Sequence, residues 1–519
     1  MIETATPFLL RELPAVKRVI FASGEARDTE WNRKLTRALA PATAEFFTDP
    51  AFRYASEQRN LESLQPRIRA GLTRLLDGGE EALIWAHNLS IARNLPLAHE
   101  LNRACVGRKI TLLAHCHDWW FDNRWQRWPE MKRTGFRTLK QVAPTLFPTM
   151  PNVRFATINR PDAAQLRKHF GTRAGWLPNP ANRAHVPSPI RMRRTRKWLC
   201  EKLGEDAPVW LMPCRVLRRK NVAEALLITR WLRPDAILAT TGGASSMDEK
   251  PYANQLHAAA RKHGWRLRLG ILERANSAAP SVNELIAASE CVLLTSIQEG
   301  FGLASIEAAA AGRPLITRRL QNIAPDLHQF GFRFPHTYRE ILIAPDLFDW
   351  KAERARQSAL FSKWKSALPK SCRASAEPPA ILDDATATPI PFNRLTLTAQ
   401  IEVLALPPAE SWKRCAPWNP LLRVWKSHAA RGTLAQTQWP EKADEWLDGC
   451  AYARRFAKIA TGRARATFSQ DTAEEAHAEF VRLKLSDARI YPLLLSHDAV
   501  REASYKGMPT RSMCSRSSR

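Results

Sequence analysis

The stretch CVLLTSIQEGFGLASIEAAAAGRPLIT, from Cys291 to Thr317, decides the fold. Its apolar start predicts a strand that ends at Ser296, and a loop containing two glycines follows. An alanine-rich helix is expected from about Ala304 to Ala311, where a glycine and then a proline end it. A buried strand, a short loop and a helix in this order indicate a parallel α/β sheet with helices on its faces.

Apolar and amphipathic runs alternate on both sides of this stretch and predict two α/β units. The first unit has predicted strands at Arg18 to Ser23, Ala82 to Ala86, Lys109 to Ala114 and Val153 to Ile158. Its predicted helices are Asn32 to Leu39, Tyr54 to Leu76, Asn94 to Ala104 and Asp162 to Phe170. The second unit has predicted strands at Val209 to Pro213, Ile237 to Thr241, Leu267 to Leu272 and Cys291 to Ser296, with helices at Val222 to Leu232 and Val282 to Ala288. Each unit is expected to form a doubly wound sheet.

Proline-rich and basic segments separate these units from each other and from the rest of the chain. The prolines of Leu177 to Pro180 and the basic run Arg191 to Lys197 predict a linker. The predicted boundaries are 1–180 for the first unit, 181–206 for the linker, 207–367 for the second unit, 368–391 for a second linker or loop, 392–509 for a partly helical segment and 510–519 for a disordered tail. The partly helical segment forms either an appendage or a part of the first unit.

Composition indicates a globular protein with two or three domains. The chain has 519 residues, of which 45% are apolar and 25% charged. No apolar run reaches the roughly 18 residues that span a bilayer, and the first residues lack the pattern of a secretion signal. The nine scattered cysteines favour a reducing compartment, so a cytoplasmic location is expected. The net charge of +28 would attract nucleic acid, anionic lipid or phosphorylated small molecules.

The loop and helix after Ser296 carry the residues with the clearest chemistry. The first-turn N–H groups of such a helix are unpaired and form an anion-binding edge. Gly300 and Gly302 allow a ligand to approach the backbone closely. Glu299 and Glu307 are eight positions apart, and their carboxylates accept hydrogen bonds from sugar or ribose hydroxyls. In the alternative interpretation, Glu307 only complements the helix dipole and the glycines only make a tight turn.

This array closely resembles the donor-site signature of family 4 glycosyltransferases, which have the GT-B fold of two Rossmann-like domains facing a cleft. The matching positions are Glu299, Gly300, Phe301, Gly302, Leu303, Glu307, Ala308, Ala310, Gly312 and Pro314. The resemblance implies that Glu299 contacts the transferred sugar as a catalytic residue and that Glu307 binds the ribose. It also implies that the backbone from Gly300 to Leu303 faces the sugar and diphosphate. Residues 1–180 would then be the acceptor side and residues 207–367 the donor-binding domain.

A basic loop follows the first predicted strand of the second unit. It reads Pro213-Cys-Arg-Val-Leu-Arg-Arg-Lys-Asn221, with Asn221 as a predicted cap of the next helix. A departing diphosphate needs fixed cations, and Arg215 and Lys220 resemble the diphosphate-binding pair of the family. A solvated basic loop is the alternative, and it is the interpretation given to Arg218 and Arg219.

Histidines at the end of a predicted strand mark the first unit's side of the cleft. In Ala114-His-Cys-His-Asp118, the family resemblance makes His117 a catalytic candidate, with a structural histidine as the alternative. A zinc site is disfavoured because no further Cys/His set with ligand spacing lies nearby. The remaining candidates for contacts with acceptor or sugar lie at predicted strand ends, where a structural role is the main alternative: His115, Asp118, His87, Asn88 and Asn179.

The family resemblance implies a retaining hexosyltransferase that takes a nucleotide-diphosphate sugar. No Asp-x-Asp pair for a divalent ion is found, so metal-independent transfer without a cofactor is expected. The acceptor would be a saccharide, a lipid-linked sugar or a small molecule, and peripheral contact with an anionic membrane is compatible with the charge. No specific nucleic-acid partner is expected. The alternatives are a phosphorylase or sugar-phosphate synthase of the same fold, or a non-catalytic basic protein that binds nucleic acid or a membrane surface.

One departure from the family concerns the N-terminus. Family members begin with a strand that leads into a glycine-rich loop, and here only Phe21-Ala-Ser-Gly24 follows the first predicted strand. The donor base, the sugar, the acceptor and the oligomeric state stay open at this level.

Overall fold

A computed structural model describes residues 2–78, 82–122, 125, 127–183, 187–244, 249–273, 275, 278–383, 388–462 and 468–485. Helices and parallel strands alternate through both predicted units, and the predicted α/β class is confirmed. The predicted disordered tail, 510–519, and positions 486–509 of the partly helical segment lie outside the described residues.

The first unit contains six strands and seven helices among its described residues. In chain order they are α1 (Ile2–Glu12), β1 (Arg18–Ser23), α2 (Thr29–Leu39), β2 (Thr43–Thr48), α3 (Leu64–Leu75), β3 (Leu83–His87), α4 (Leu95–Gly107), β4 (Thr111–Cys116), α5 (Arg127–Arg133), α6 (Leu139–Leu146), β5 (Val153–Thr157), α7 (Arg160–Phe170) and β6 (Ala174–Trp176). The strand predicted at Arg18 to Ser23 forms with those bounds, and the helix predicted from Tyr54 begins only at Leu64.

The strands of the first unit lie in two sheets. β1 and β2 pair with each other in parallel, and β3, β4, β5 and β6 form a parallel sheet in sequence order. Successive residues of β4 enter different cores: Leu112 packs with Phe155 on one face, and Leu113 packs with Ala156 on the other. This two-residue alternation places helices on both faces of the four-stranded sheet.

The second unit is a doubly wound sheet. Its elements are α8 (Pro189–Leu203), β7 (Val209–Met212), α9 (Val222–Leu232), β8 (Ile237–Thr240), α10 (Lys250–Lys262), β9 (Leu267–Arg268), α11 (Val282–Ala288), β10 (Cys291–Leu294), α12 (Leu303–Ala310), β11 (Leu315–Arg318), α13 (Ala324–Gln329) and β12 (His336–Tyr338). The strand order is β12-β11-β10-β7-β8-β9, so the order reverses between β7 and β10. Ligands bind at such a reversal, beyond the carboxyl ends of the strands.

The predicted linker 181–206 was wrong for most of its length, because α8 occupies it. Ser188 caps this helix by accepting a hydrogen bond from the backbone N–H of Arg191 at 3.4 Å, and Pro189 is its first residue. Proline is tolerated in the first turn, where its missing N–H has no helical partner. The proline therefore begins a helix here, and α8 packs against α11 of the second unit.

The remainder of the chain packs on both units in turn. It contains β13 (Leu342–Ile343), α14 (Trp350–Ala367), α15 (Ala380–Asp383), β14 (Ile390–Pro391), α16 (Leu397–Ala405), α17 (Pro408–Cys415), α18 (Pro420–Ala430), α19 (Lys442–Leu447), α20 (Gly449–Thr461) and α21 (Gln470–Leu485). Helices α16, α17 and α18 contact α9, whereas α20 contacts α1 and α21 contacts α6 and α7. The segment is therefore neither a separate appendage nor a part of the first unit alone.

The prediction of an exposed linker or loop at 368–391 was also wrong. Leu368, Cys372 and Ala376 are buried in the core of the first unit, and Ile381 and Ile390 are buried in that of the second. Small residues interrupt the helical pattern of this stretch, but its spaced apolar side chains fill both cores. Among the described residues, no helix has both the length and the apolar character needed to cross a membrane.

Candidate functional site

Two loops meet where the strand order of the second unit reverses. One follows β7 and the other follows β10, and the backbone N–H of Ile297 donates to the carbonyl of Arg219 at 2.8 Å. The hydroxyl of Thr295 donates to the carbonyls of Lys220 and Asn221 at 3.1 and 3.0 Å. The two loops are thus bound to each other through their backbones, which fixes the side chains they carry.

Lys220 and Glu299 form a buried ion pair at this junction. Their side chains are 15% and 11% exposed, and the ammonium group of Lys220 donates to the Glu299 carboxylate. The guanidinium of Arg219 lies 3.7 Å from the other carboxylate oxygen. Burial disfavours the ionised carboxyl, but the two cations together hold the pKa of Glu299 below its usual value. The sequence prediction placed Lys220 and Glu299 in one site, and the structure brings them into contact.

Glu307 lies close to this pair but is not engaged by it. The carboxylate makes no hydrogen bond or ion pair with any residue that the structure describes, while burial raises its pKa and nearby Lys220 opposes that shift. α12 begins at Leu303, so Glu307 is the fifth residue of the helix and lies past the predicted first turn. Glu307 is a half-buried acceptor that faces no protein donor among the described residues.

The residues of the loop between the two glutamates differ in conformation and burial. Gly302 precedes α12 with a φ of +80°, a conformation that favours glycine. Phe301 is buried in a cluster with Ile306 and Phe330, so its ring anchors the loop. The side chain of Leu303 is 45% exposed at the first position of α12.

Arg215 lies on the same basic loop as Lys220 but pairs elsewhere. Its guanidinium is 3.3 Å from Glu249 at the start of α10, and its side chain is 53% exposed. The structure therefore does not bring Arg215 into contact with Glu299. An ion pair of an exposed guanidinium contributes little to stability.

The structure differs from the predictions for two further residues of this loop. Arg218 is buried, and its guanidinium donates to the carbonyl of Leu395 at 3.0 Å, so it is structural and not solvated. Asn221 occupies the predicted N-cap position of α9, but its side chain makes no capping hydrogen bond: its φ is +57°, and its amide donates to Glu224 at 3.0 Å. An asparagine in the left-handed region makes a sharp turn, which aims Lys220 at the β10 loop.

The histidines of the first unit gather at the carboxyl ends of β3 and β4. Ring nitrogens of His87, His115 and His117 lie within 4.8 Å of one another, and the Nε2 of each is buried without a hydrogen-bond partner among the described residues. Burial lowers the pKa of His87 to about 3 and that of His117 to about 4. Both imidazoles are therefore neutral at pH 7.

Three imidazoles at this spacing are typical zinc ligands, but one of them is already engaged. Trp85 donates from its indole Nε1 to Nδ1 of His115 at 3.3 Å. Because an indole N–H can only donate, Nδ1 accepts, and the proton of neutral His115 is on Nε2. His115 then has no lone pair for a metal. The cluster offers two other imidazoles, and only His117 of the three lines the cleft described below.

Asn88 positions the loop that carries His117. Its side-chain oxygen accepts hydrogen bonds from the backbone N–H groups of His117 and Asp118, at 3.2 and 3.0 Å. The backbone of Asn88 is left-handed, with a φ of +56°. The structure thus gives Asn88 a positioning role at the strand end. The Oδ1 atom of Asn179, in the Leu177 to Pro180 turn, is buried without a hydrogen-bond partner in the part of the chain that the structure describes.

A polar pocket lies between the two units at this place. Its lining comes from both units and from the last described helix: His117, Asp118, Asp122, Asn159, Asp162, Arg219, Gln298, Glu299, Gly300, Asn322 and Lys484. Asn322 donates from its amide to the carbonyl of Glu299 at 2.6 Å, which holds the loop from a third side. Lys484 reaches the pocket from α21 and lies 2.9 Å from Asp122.

Sequence reasoning missed several of these residues. Arg219 was assigned to solvent, although its position beside Lys220 was a usable signal. Asn322 and Lys484 lie in segments without a recognisable motif, so only the packing of α21 and of the loop after β11 reveals them. The pocket combines hydroxyl acceptors with cations, which suits a sugar and a phosphorylated group.

Part of this chain matches a known protein family. Residues 201–330 match the family model described as glycosyl transferases group 1, as the signature predicted. The mannosylglucosyl-3-phosphoglycerate synthase of Petrotoga mobilis is 24% identical over 303 residues, which are 56% of this chain and 57% of that protein. The chain thus spans a little over half the length of that curated relative.

Similar solved structures include Anabaena Alr3699/HepE in complex with UDP and glucose, with 14% identity and a TM-score of 0.47. That likeness covers 88% of this chain and 95% of the other. An α,α-trehalose-phosphate synthase (UDP-forming) from Burkholderia xenovorans in complex with glucose-6-phosphate has 12% identity and a TM-score of 0.43. It covers 85% of this chain and 90% of the other.

Proposed function

We propose that this chain, whose residues 201–330 match glycosyl transferases group 1, is a retaining glycosyltransferase of the GT-B fold that uses a nucleotide-diphosphate sugar. The proposal includes hexosyl transfer to an acceptor bound on the side of the first unit. The observation that carries it is the junction of the β7 and β10 loops, where Lys220 contacts Glu299 and Glu307 keeps a carboxylate that no described residue engages.

The leaving diphosphate would be met by fixed positive groups of the second unit. Lys220 is already buried beside the N-terminal end of α12, whose backbone N–H groups add partial positive charge. Arg215 is exposed on the same loop and can rotate away from Glu249. As the bond between the anomeric carbon and the phosphate oxygen breaks, these groups stabilise the charge that develops on the diphosphate.

The two glutamates have different proposed roles. Glu307 accepts hydrogen bonds from the ribose hydroxyls, which compensate its burial. Glu299 contacts the transferred sugar, so donor binding must rearrange the pair that it forms with Lys220. His117 lines the same pocket as a neutral imidazole and is proposed to contact the reaction centre.

Retention follows from the proposed family mechanism. The acceptor hydroxyl attacks the anomeric carbon from the face that the diphosphate leaves, and its proton passes to a departing phosphate oxygen. No protein carboxylate forms a covalent intermediate, and no metal ion is placed on the diphosphate. Asp118 and the histidine cluster then bind the acceptor or orient the groups that do.

Location and partners complete the proposal. The enzyme acts in the cytoplasm, in glycan biosynthesis, with a saccharide, lipid-linked or small-molecule acceptor. The net charge of +28 supports peripheral contact with the inner face of an anionic membrane. No nucleic-acid partner is proposed.

Donor hydrolysis by the purified chain tests the function without knowledge of the acceptor. We expect one of a panel of UDP-, GDP- and ADP-sugars to be turned over, and chelation by EDTA to leave the rate unchanged. Lys220→Ala and Glu307→Ala are each expected to lower kcat/KM by roughly 100-fold or more, because they remove contacts to the diphosphate and ribose. The matched controls Lys262→Ala and Glu201→Ala, both exposed in the second unit, should keep the wild-type rate.

Other outcomes lead to the alternatives. Full activity in both Lys220→Ala and Glu307→Ala would show that these residues do not form the donor site. Turnover that requires free phosphate would indicate a phosphorylase. Absence of nucleotide binding, together with tight and salt-dependent binding of DNA, would indicate a non-catalytic basic protein. Because the Petrotoga relative is described as a synthase of a phosphoglycerate glycoside, small phosphorylated acids belong in the acceptor panel.

A further inference from the structure

Large apolar side chains are exposed at few of the described positions, and three of these lie in one short segment. Trp418, Leu421 and Val424 are 49%, 49% and 65% exposed. They follow one another at intervals of three residues, and Leu421 and Val424 are in α18, where that spacing brings side chains to the same face. We call these three residues the α18 ridge.

The other face of α18 already anchors the helix in the second unit. Leu422, Trp425 and Ala429 are buried and belong to the same core as α9. The exposed part of a helix that is packed on one side is expected to be polar, and Leu421 and Val424 depart from this pattern. None of the three ridge residues belongs to the buried core of the second unit, and their exposed apolar surface indicates a partner outside that core.

Basic residues are frequent in the sequence around the ridge. From Pro408 to Arg431 the chain has five basic residues and one acidic residue, Glu410. Among the basic residues, Lys413, Arg423 and Arg431 are exposed and form no ion pair with any described residue. The surface thus joins an apolar strip, including an indole, to positive charge that no described carboxylate balances.

We propose that the α18 ridge and its flanking cations bind the surface of an anionic lipid bilayer. An indole and two aliphatic side chains can enter the boundary between headgroups and acyl chains, while Lys and Arg remain at the level of the anionic headgroups. The inference gives a surface to the peripheral membrane contact proposed above, and it holds whether or not the chain transfers a sugar.

A bilayer fits this surface better than a folded protein does. A stable protein interface buries about 800 Å² on each partner, whereas the ridge is a single row of three side chains. A membrane accepts such a narrow apolar strip and supplies negative charge along its whole surface. The exposed side chains of Lys413, Arg423 and Arg431 are positive, and an anionic bilayer attracts them.

Sedimentation of the full chain with lipid vesicles tests the proposal. We expect binding to vesicles of phosphatidylcholine mixed with phosphatidylserine, and little binding to phosphatidylcholine alone. The triple variant Trp418→Ser, Leu421→Ser, Val424→Ser is expected to lower the partition coefficient about tenfold or more. The triple variant Lys413→Gln, Arg423→Gln, Arg431→Gln should weaken binding and reduce its dependence on salt.

Matched controls separate the ridge from general hydrophobicity. Val106 and Ile190 are 47% and 57% exposed elsewhere, so Val106→Ser and Ile190→Ser should bind vesicles as the wild type does. The ridge variant should keep the wild-type melting temperature and donor hydrolysis, which shows that its fold is intact. Vesicle binding that survives the ridge substitutions, or that is absent from the wild type, overturns the proposal. So does a ridge variant that changes only self-association in size-exclusion chromatography.

Discussion

At the scale of single residues, the ion pair between Lys220 and Glu299 explains how Lys220, for which we propose phosphate binding, can be buried without a ligand. An unpaired ammonium in this position would carry a large desolvation cost, and the carboxylate offsets it. A diphosphate that binds Lys220 would therefore displace one anion with another. The carboxylate released in this way is then available to a sugar hydroxyl.

Gly300 provides the first prediction at this scale. A Cβ atom added there would lie 2.9 Å from Cδ1 of Ile158 and 3.2 Å from the carbonyl oxygen of His117, both in the first unit. Gly300→Ala should therefore move the two sides of the cleft apart by a few tenths of an ångström. We expect kcat for transfer to fall roughly tenfold, because the reacting groups must be held at the correct distance and orientation.

The control for this substitution is Gly107→Ala, where a Cβ atom meets nothing within 4 Å. Steady-state kinetics with the identified donor and acceptor measure the effect. An unchanged kcat in the Gly300→Ala variant would show that the contact between the loop and the first unit does not matter for transfer.

Sequence alone could single out Glu299 and Glu307 as candidates, because the strand, loop and helix that carry them are local and resemble a family signature. It could not separate Arg215, Arg218, Arg219 and Lys220. Four cations in six positions look alike in a sequence, and their directions depend on Asn221 in the left-handed region and on the contact with the β10 loop. The result is one buried structural arginine, one in the pocket and one on the surface.

At the scale of elements, α21 packs on the core of the first unit and carries a buried histidine, His477. His477 accepts a hydrogen bond from the indole of Trp120 at 3.2 Å, and burial lowers its pKa to about 3. The folded chain excludes a proton that the unfolded chain binds near pH 6.5. The stability from this group is present above pH 6.5 and is lost as the pH falls toward 3.

We therefore predict that acid loosens α21, with a loss of at most about 1.4 kcal/mol per pH unit from His477 below pH 6.5. His477→Gln keeps an acceptor for Trp120 but cannot bind a proton, so its unfolding free energy should depend less on pH between 6.5 and 4. His87 and His117 retain part of the slope, because burial lowers their pKa values as well. Urea titrations at several pH values provide the measurement.

The exposed His257 supplies the comparison, and His257→Gln should follow the wild-type curve. Equal slopes for His477→Gln and the wild type would contradict the role given to His477.

The predicted strands and helices form where the apolar runs are long. The predictions were wrong where prolines were taken to interrupt regular structure. The strands of the second unit are continuous apolar runs because the sheet is buried on both faces. α8 was missed because the prolines of Leu177 to Pro180 and the basic run after them were taken as a linker, although Ser188 and Pro189 form a helix start. β2 was missed because its six residues alternate only weakly and half-buried side chains line it.

At the scale of the whole molecule, α7 and α13 join the two units through a buried carboxyl group. Asp326 accepts a hydrogen bond from the backbone N–H of Arg160 at 2.9 Å, and the Arg160 side chain lies 3.4 Å from its other oxygen. Burial raises the pKa of Asp326 to about 7 against this opposing arginine. Stability from the group is complete below its unfolded value of 3.8 and is lost as the pH rises to about 7.

This contact should make the association of the units sensitive to pH near neutrality. In Asp326→Asn the dependence disappears, so hydrogen exchange of α7 and α13 should become equal at pH 6 and pH 8. In the wild type we expect faster exchange at pH 8, after correction for the intrinsic rate. Identical corrected rates in the wild type at the two pH values would refute the prediction.

The sequence left open whether the last part of the chain forms an appendage or packs back on the first unit. The core of that unit contains Tyr452 and Phe456 from α20 and Phe480 from α21, far from the strands that they cover. Such contacts depend on the surfaces of both partners, and periodicity within α20 or α21 reveals only that each has an apolar face. The alternation of strands and helices was therefore predictable, and the packing of α20 and α21 on the first unit was not.

The packing of α20 and α21 on the first unit has a consequence for the nascent chain. The strands of the first unit end at Trp176, but the helix that completes their core ends at Leu485, which is 309 residues later. At 5–20 residues per second, a ribosome needs roughly 15 to 60 s to cover that distance. During this interval the sheet face that packs against Phe480 has been synthesised but α21 has not. The first unit is therefore synthesised first, but its core is completed last.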